Sequence, residues 1–184
     1  MSLPKYKYLL TYRYSEIIYD LTFSFCHTFV SEYKDKRTRE QMEQAARSGK
    51  QNIIEGIGQS QTSKKGEIKL LGVAKASLEE LLADYEDFLR IRNLPIWPKT
   101  DENVGRLKHY AYRISDLSNL SDLGDLKEKP KLPEKQEVAA NLLLTLCHVA
   151  TFLLSKQIAK AEKDFLEKGG FTENLFKRRI QSRI

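Results

Sequence analysis

Hydrophobic residues recur at steps of three and four over most of this chain, which is the spacing that places them on one face of an α-helix. In residues 5–33 this face carries Leu10, Tyr14, Ile17, Ile18, Leu21 and Phe25. A polar run over 31–39 interrupts the pattern. A second helix is predicted over 37–57, with Gly56 and Gly58 as its C-terminal stop.

The clearest helical pattern begins after Thr62 or Ser63, either of which can cap a helix N-terminus. Glu67 falls in the first turn, where a negative charge is favoured. The apolar positions of this third helix are Ile68, Leu71, Leu78, Leu81, Leu82, Tyr85, Phe88 and Leu89. Their mean spacing is about 3.5 residues, the period of helix-bundle packing. Pro95 and Pro98 mark the end of the pattern.

Three more helical segments follow. A shorter helix is predicted within 101–120, and a linker with two prolines separates it from a long helix over 134–168. Gly169 and Gly170 stop that helix, and a last short one is predicted over 171–184. No segment alternates apolar and polar residues as a strand does.

The pattern therefore predicts an all-α fold, an antiparallel up-down four-helix bundle. An extra short helix lies between bundle helices 3 and 4, and a short helical tail ends the chain. We expect one domain in three parts: the first three bundle helices over 1–92, an inserted loop and short helix over 93–132, and the fourth helix and tail over 133–184.

Composition and the absence of long apolar runs indicate where in the cell this protein is expected. Hydrophobic residues make up 41% of the 184 residues and charged residues 30%, so a substantial core can form. No uninterrupted apolar run approaches the roughly 20 residues that span a bilayer, and the first residues lack a signal-peptide core. Cys26 and Cys147, at mid-helix positions, do not suggest a secreted disulfide scaffold. We expect a soluble, cytoplasmic protein.

The second predicted helix carries small and polar residues where Leu would be the usual choice. At about 100° per residue, Gly49, Gly56 and Asn52 share one stripe, so we expect another helix to approach closely there. The Asn52 amide should point inward, with a backbone group or a side chain such as Glu55 as its partner. Ile54 faces the opposite way, among charged residues, which suggests a subunit interface. The candidate structural and oligomer-interface residues are Asn52, Ile54, Glu55 and Gly56.

The histidines and cysteines do not form a recognisable metal site. A di-iron site in a four-helix bundle needs Glu-x-x-His, and no histidine here has a glutamate three positions before it. Cys26–His27 and Cys147–His148 repeat on two predicted helices. Adjacent helical residues diverge by about 100°, so we expect buried structural residues rather than a zinc site.

No catalytic constellation stands out elsewhere. Glu80, Asp84 and Asp87 align on one helix face, but this face opposes the apolar one, and we expect it to be solvated. The chain has no phosphate-cradling glycine loop and no recognisable nucleophile motif. We predict that the protein is not an enzyme and that it binds no metal or cofactor.

Basic residues are the remaining candidates for function. The formal net charge is +6, which favours acidic partners, nucleic acid first. Phosphates attract Lys and Arg without any need to read bases. The candidate nucleic-acid-binding residues are Lys64, Lys65, Lys69, Arg47, Lys50, Lys177, Arg178 and Arg179, with Arg183 beyond them in the tail. For each of them the alternative is a solvated surface residue.

Two motifs resemble a known family. AARSGKQNIIEG at 45–56 and AKASLEEL at 74–81 resemble the four-helix-bundle family encoded by intervening sequences in bacterial 23S rRNA genes. The residues that match its pattern are Ala45, Ala46, Ser48, Asn52, Ile53, Glu55, Gly56, Ala74, Ser77, Leu78, Glu80 and Leu81. Residues 137–157 and 164–179 resemble a longer subgroup with a four-helix-bundle suffix region.

That family is similar to the accessory variability determinant of diversity-generating retroelements, a basic homopentamer that binds nucleic acid and a reverse transcriptase. The resemblance implies a non-enzymatic homo-oligomer, pentameric if it follows that relative, which binds structured RNA or DNA through a basic surface. A reverse transcriptase is an implied partner. One alternative stays open: a protein-interaction scaffold whose C-terminal helix docks a protein partner and whose charge serves solubility alone.

Overall fold

The computed structural model describes residues 3–182, and within that range the chain is all-α, as predicted. An isolated bridge between Leu120 and Leu126 is the sole β-type pairing in these residues. Short 3-10 helices occupy Lys5–Tyr8 and Leu117–Asn119. The α-helices are α1 Leu10–Phe29, α2 Lys36–Gln59, α3 Lys64–Ile91, α4 Glu102–Ser115, α5 Gln136–Lys168 and α6 Phe171–Gln181.

The ends of the helices follow local capping chemistry. The Ser63 side chain accepts a hydrogen bond from the Gly66 amide at 3.0 Å, so Ser63 is the cap of α3. Gly169 ends α5 with a φ of +71°, a conformation that glycine adopts at little cost. The inserted helix α4 lies within the predicted range 101–120 and ends at Ser115, because Asp116 has an extended backbone and its carboxylate accepts from the Ser118 amide.

The predicted stop at Gly56 and Gly58 is wrong. α2 continues through both glycines to Gln59, and neither has the positive φ that a glycine C-cap adopts. Gly56 leaves room for α3, which packs against it, whereas Gly58 faces open space.

Four long helices form the main body. α2 packs along α3 and α3 along α5, while α1 contacts both α2 and α5. α4 rests on α5 and α1. The centre contains aromatic contacts: the Phe25 ring lies 5.2 Å from the Tyr85 ring, and the fully buried Tyr85 hydroxyl donates to Thr22 Oγ1 at 2.8 Å. The buried phenol is thus paired, which removes the cost of burying its polar end.

One apolar window passes the length and hydropathy test for a membrane span. It lies in the stretch Gln136–Gln181, which contains α5. The search for uninterrupted apolar runs in the sequence did not identify this window. Of this window, 67% is buried inside the protein. A core helix covered by its neighbours passes the same test, and α5 lies against α1, α3 and α4.

The expected close approach at the glycine stripe is confirmed, and the partner helix is α3. A Cβ built on Gly49 would lie 2.7 Å from Leu78 Cδ2. A Cβ on Gly56 would lie 3.4 Å from the Glu67 carbonyl oxygen. The two glycines, seven positions apart on α2, therefore let the backbones of α2 and α3 come together along two turns.

Gly49→Ala should lower the free energy of unfolding by about 1–3 kcal/mol, because the added methyl overpacks a core that leaves no room for it. Gly58→Ala is the matched control and should raise that free energy by up to about 1 kcal/mol, since Ala is the better helix former and the site is open. Urea unfolding followed by circular dichroism measures both. Equal changes in the two variants would contradict the close packing of α2 on α3.

Candidate nucleic-acid interface

A cleft of about 410 Å³ opens where the turn after α2 meets the start of α3, the end of α5 and the helix α6. Lys64 from α3 and Arg178 from α6 both line it. These two residues belong to basic clusters that are far apart in the sequence. The fold therefore brings part of each cluster to one surface.

The charges in the cleft are partly paired. Lys64 Nζ lies 2.7 Å from Glu67 Oε2, and the Glu67 side chain is 8% exposed, so Lys64 compensates a buried carboxylate. Lys168 donates to Asp164 at 2.5 Å, which lowers the pKa of Asp164 and raises that of Lys168. Arg178 has no ion pair within residues 3–182. It is thus the cation of the cleft with most freedom to bind a phosphate.

Lys65 and Lys69 lie outside the cleft on a different side of α3, because at about 100° per residue they are about 100–140° away from Lys64. They lie four positions apart on α3, both are exposed, and neither forms an ion pair in the described part of the chain. Side chains at this spacing lie on the same side of a helix. The predicted Lys64–Lys65–Lys69 patch thus divides into a structural lysine and two exposed ones.

Helix α6 contributes a second set of exposed charges. Lys177, Arg178 and Arg179 are all exposed, as the sequence predicts, and Arg183 lies outside the described residues. Phe171, Leu175 and Arg178 line the cleft and recur at helical spacing, so one side of α6 faces the cleft.

Arg47 and Lys50 do not reach the cleft within one copy. They lie about two and a half to three and a half turns before the end of α2, which is roughly 13–18 Å along the helix axis. Arg47 is exposed, but Lys50 is half-buried, with its Nζ 3.9 Å from the centre of the Tyr19 ring. This cation–π contact ties α2 to α1 and makes Lys50 a poor candidate for phosphate binding.

Of the two predicted kinds of partner for the Asn52 amide, the structure shows the backbone group, the carbonyl of Ser48, and not Glu55. Asn52 Nδ2 donates to the Ser48 carbonyl at 2.9 Å and lies 3.2 Å from Ser48 Oγ, while Glu55 is exposed. The Ser48 hydroxyl in turn lies 2.9 Å from the Ser77 hydroxyl on α3. This polar link across the α2–α3 contact was missed because no periodicity pairs two serines 29 positions apart. Both serines do belong to the matching motifs.

The prediction that Ile54 is exposed is wrong. Its side chain is half-buried and packs against the hydrophobic core from the side of α2. The apolar stripe of α2 is wider than the helical projection suggested, because α1 covers one flank and α3 the other. Ile54 therefore gives no argument for a subunit interface, and Gly56, which is buried against α3, gives none either.

The acidic residues lie near the start of α2 and the end of α3, opposite the cleft. Glu80 and Asp87 are exposed as expected, but Asp84 is half-buried, which corrects that prediction. A groove of about 490 Å³ holds Asp84 and Asp87 together with Asp35. Burial, and then the charges of Glu80 and Asp87, raise the pKa of Asp84 to about 6.

The cysteines and histidines do not form a metal site in the part of the chain that the structure describes. Cys26 and Cys147 are buried free thiols, and burial raises the pKa of each. His27 is exposed and lies 3.7 Å from Glu43, whereas His148 is half-buried on α5. Within residues 3–182 no three His, Cys, Asp or Glu side chains are grouped so as to hold a metal ion.

The chain matches no protein-family model, no curated protein and no solved structure. The resemblance to the intervening-sequence family therefore stays a prediction that rests on the two motifs. In the fold these motifs face each other, since Ser48 and Gly49 of the first contact Ser77 and Leu78 of the second.

The raised pKa of Asp84 predicts how the stability of the protein depends on pH. The pKa of its carboxyl is about 6 in the folded chain and about 3.9 when unfolded, so the folded protein binds this proton more tightly. The contribution of Asp84 to stability should therefore decrease as pH rises from 4 to 7. Asp84→Asn should be about as stable as the parent near pH 4 and more stable at pH 7.

Urea midpoints measured across that pH range test this expectation. Asp122→Asn, at an exposed position outside the groove, serves as the control and should track the parent at every pH. A constant difference between Asp84→Asn and the parent would show that Asp84 titrates normally.

Proposed function

We propose that this protein is a non-enzymatic, cytoplasmic homo-oligomer that binds structured RNA or DNA through the basic surface around the α3–α6 cleft. Each copy would be an antiparallel up-down four-helix bundle of α1, α2, α3 and α5. The contacts of α1 with α2, α2 with α3, α3 with α5 and α5 with α1 support this arrangement, since they form a closed circuit of four neighbours. In this proposal α4 is the extra helix and α6 the tail.

The observation that carries the proposal is that the fold brings the basic start of α3 and the basic helix α6 to one cleft, where Lys64 and Arg178 mark the two clusters. A phosphate needs positive charge from several directions, and two clusters from different helices supply it better than one helix face does. Arg178 would contact a phosphate in the cleft, and the exposed Lys65 and Lys69, on another side of α3, would contact further phosphates of the same nucleic acid. These contacts go to the backbone, so the proposal implies affinity for a charged duplex or fold rather than for a base sequence.

The family resemblance supports the oligomeric part of the proposal. A ring of five copies, as the resemblance implies, would repeat the cleft five times around one axis. Weak phosphate contacts add up strongly when they are linked in one assembly, because each later contact is intramolecular. A nucleic-acid enzyme such as a reverse transcriptase would then be a partner on the same nucleic acid.

The second candidate function is protein docking through α6. Phe176 is 64% exposed and Ile180 48% exposed, and they lie one helical turn apart on the side of α6 away from the cleft. Lys177 and Arg179 flank them. An apolar pair with basic neighbours would suit an acidic partner protein, and in this version the charge serves no nucleic acid.

The triple variant Lys65→Glu, Lys69→Glu, Arg178→Glu tests the first candidate. It should weaken binding to a fluorescent RNA hairpin by at least about tenfold. The slope of log affinity against log salt concentration should decrease by the amount that corresponds to about two to three phosphate contacts. Anisotropy titrations at several salt concentrations measure both quantities. Lys64 is kept, because its reversal would leave the buried Glu67 carboxylate facing another acid.

The matched control reverses exposed lysines away from the cleft, Lys34→Glu and Lys131→Glu. It lowers the formal net charge by four, against six for the triple variant, and should leave most of the affinity intact. If the two variants weaken binding equally, the cleft has no special role. If the parent protein binds no hairpin, duplex or single strand even at low salt, the nucleic-acid proposal fails.

The variant Phe176→Glu, Ile180→Glu separates the two candidates. Because these residues face away from the cleft, hairpin binding should persist if the cleft holds nucleic acid. Co-purification from cells with a protein partner, followed by mass spectrometry, should lose that partner if α6 is the docking element. Loss of hairpin binding in this variant would contradict the assignment of the two faces of α6.

A further inference from the structure

A separate apolar pocket of about 240 Å³ lies where α3, α4 and α5 meet the loop between α3 and α4. Trp97 from the loop, Val104 from α4 and Leu144 from α5 supply apolar walls. Val104 and Leu144 are each 5% exposed, so they form a floor rather than a surface patch. The pocket contains none of the residues of the cleft, and the proposed function makes no use of it.

Hydrogen bonds fix the Trp97 wall in place. The Trp97 indole Nε1 donates to Glu137 Oε1 at 2.8 Å, and its backbone amide donates to Asn141 Oδ1 at 2.9 Å. Asn141, only 1% exposed, also donates from Nδ2 to the Pro95 carbonyl at 3.0 Å. A buried amide thus holds the loop at Pro95 and at Trp97. A pocket held this way loses little entropy when a ligand binds.

The polar rim of the pocket is predominantly basic. Lys99 and Lys108 line it together with His148, and Glu86 is the one acid among the lining residues. Neither lysine forms an ion pair within residues 3–182. Burial, and after it the charge of Lys99, lower the pKa of His148, while Glu86 opposes this shift. Because the net shift is downward, the imidazole is neutral at pH 7 and can share a hydrogen bond.

We propose that this pocket binds a small amphipathic carboxylate. Its apolar body would lie against Trp97, Val104 and Leu144, and its carboxylate would meet Lys99 and Lys108 at the rim. The combination of an enclosed apolar floor with a few convergent polar groups is typical of small-molecule sites. Because the volume is below the roughly 300–1,000 Å³ of drug-sized sites, the occupant would carry one ring or a short alkyl chain.

Trp97 is the single tryptophan of the chain, so intrinsic tryptophan fluorescence reports on this pocket alone. The experiment titrates the full-length protein with phenylbutyrate and with its neutral and cationic analogues, phenylbutanol and phenylbutylamine. Phenylbutyrate should change the fluorescence in a saturable way, with an affinity about tenfold above that of the alcohol, because charged hydrogen bonds form at the rim. The amine should bind most weakly, and acetate, which has no apolar body, should have no effect.

Two variants localise the effect. Lys99→Glu with Lys108→Glu, both at exposed positions, should abolish the preference for the acid over the alcohol. Val104→Phe should fill the floor and prevent binding of both probes. Lys34→Glu with Lys131→Glu is the matched charge control and should bind as the parent does.

The proposal is overturned if the fluorescence does not change, if the three probes bind equally, or if Val104→Phe binds as the parent does. Should Val104→Phe fail to fold, the double lysine variant still tests the proposal. Unchanged selectivity for the acid in that variant would show that Lys99 and Lys108 do not contact the carboxylate. The result is independent of nucleic-acid binding.

Discussion

The packing of α2 on α3 is the contact on which the rest of the fold depends. Two glycines on α2 remove the side chains that would hold the helices apart, and the Ser48–Ser77 hydrogen bond links the same surfaces. Close backbone approach lets dispersion contacts form along both helices. It also fixes the position of α3 against α2, and therefore where Lys64 meets the end of α5 and helix α6.

Much of the fold could be predicted because helical periodicity is a local property. The segments, the Ser63 cap and the stop at Gly169 all follow from residues near each other in the chain. Gly56 was misjudged as a stop for an instructive reason. A glycine ends a helix or admits a neighbour, and the sequence does not distinguish these uses when the neighbour lies many residues away.

The candidate sites were harder to predict, because each is built from distant segments. Lys64 was expected to be free, yet it compensates Glu67, a buried carboxylate in the same helical turn. Lys50 was expected to be exposed, but Tyr19 on another helix offers it an aromatic face. The pocket at Trp97 had no sequence signal, since its walls come from two helices and a loop with no shared motif.

The positions of the acidic groove and the basic cleft have a consequence for motion in solution. They lie at opposite ends of α2, roughly 35 Å apart by helix length. Asp35, Asp84 and Asp87 thus lie far from Lys64 and Arg178, in a chain whose formal net charge is +6. Under the proposed function, a polyanion would attract the cleft and repel the carboxylates of the groove, which would favour an approach with the cleft leading. Added salt would weaken this alignment, because ions screen the field over the length of the molecule.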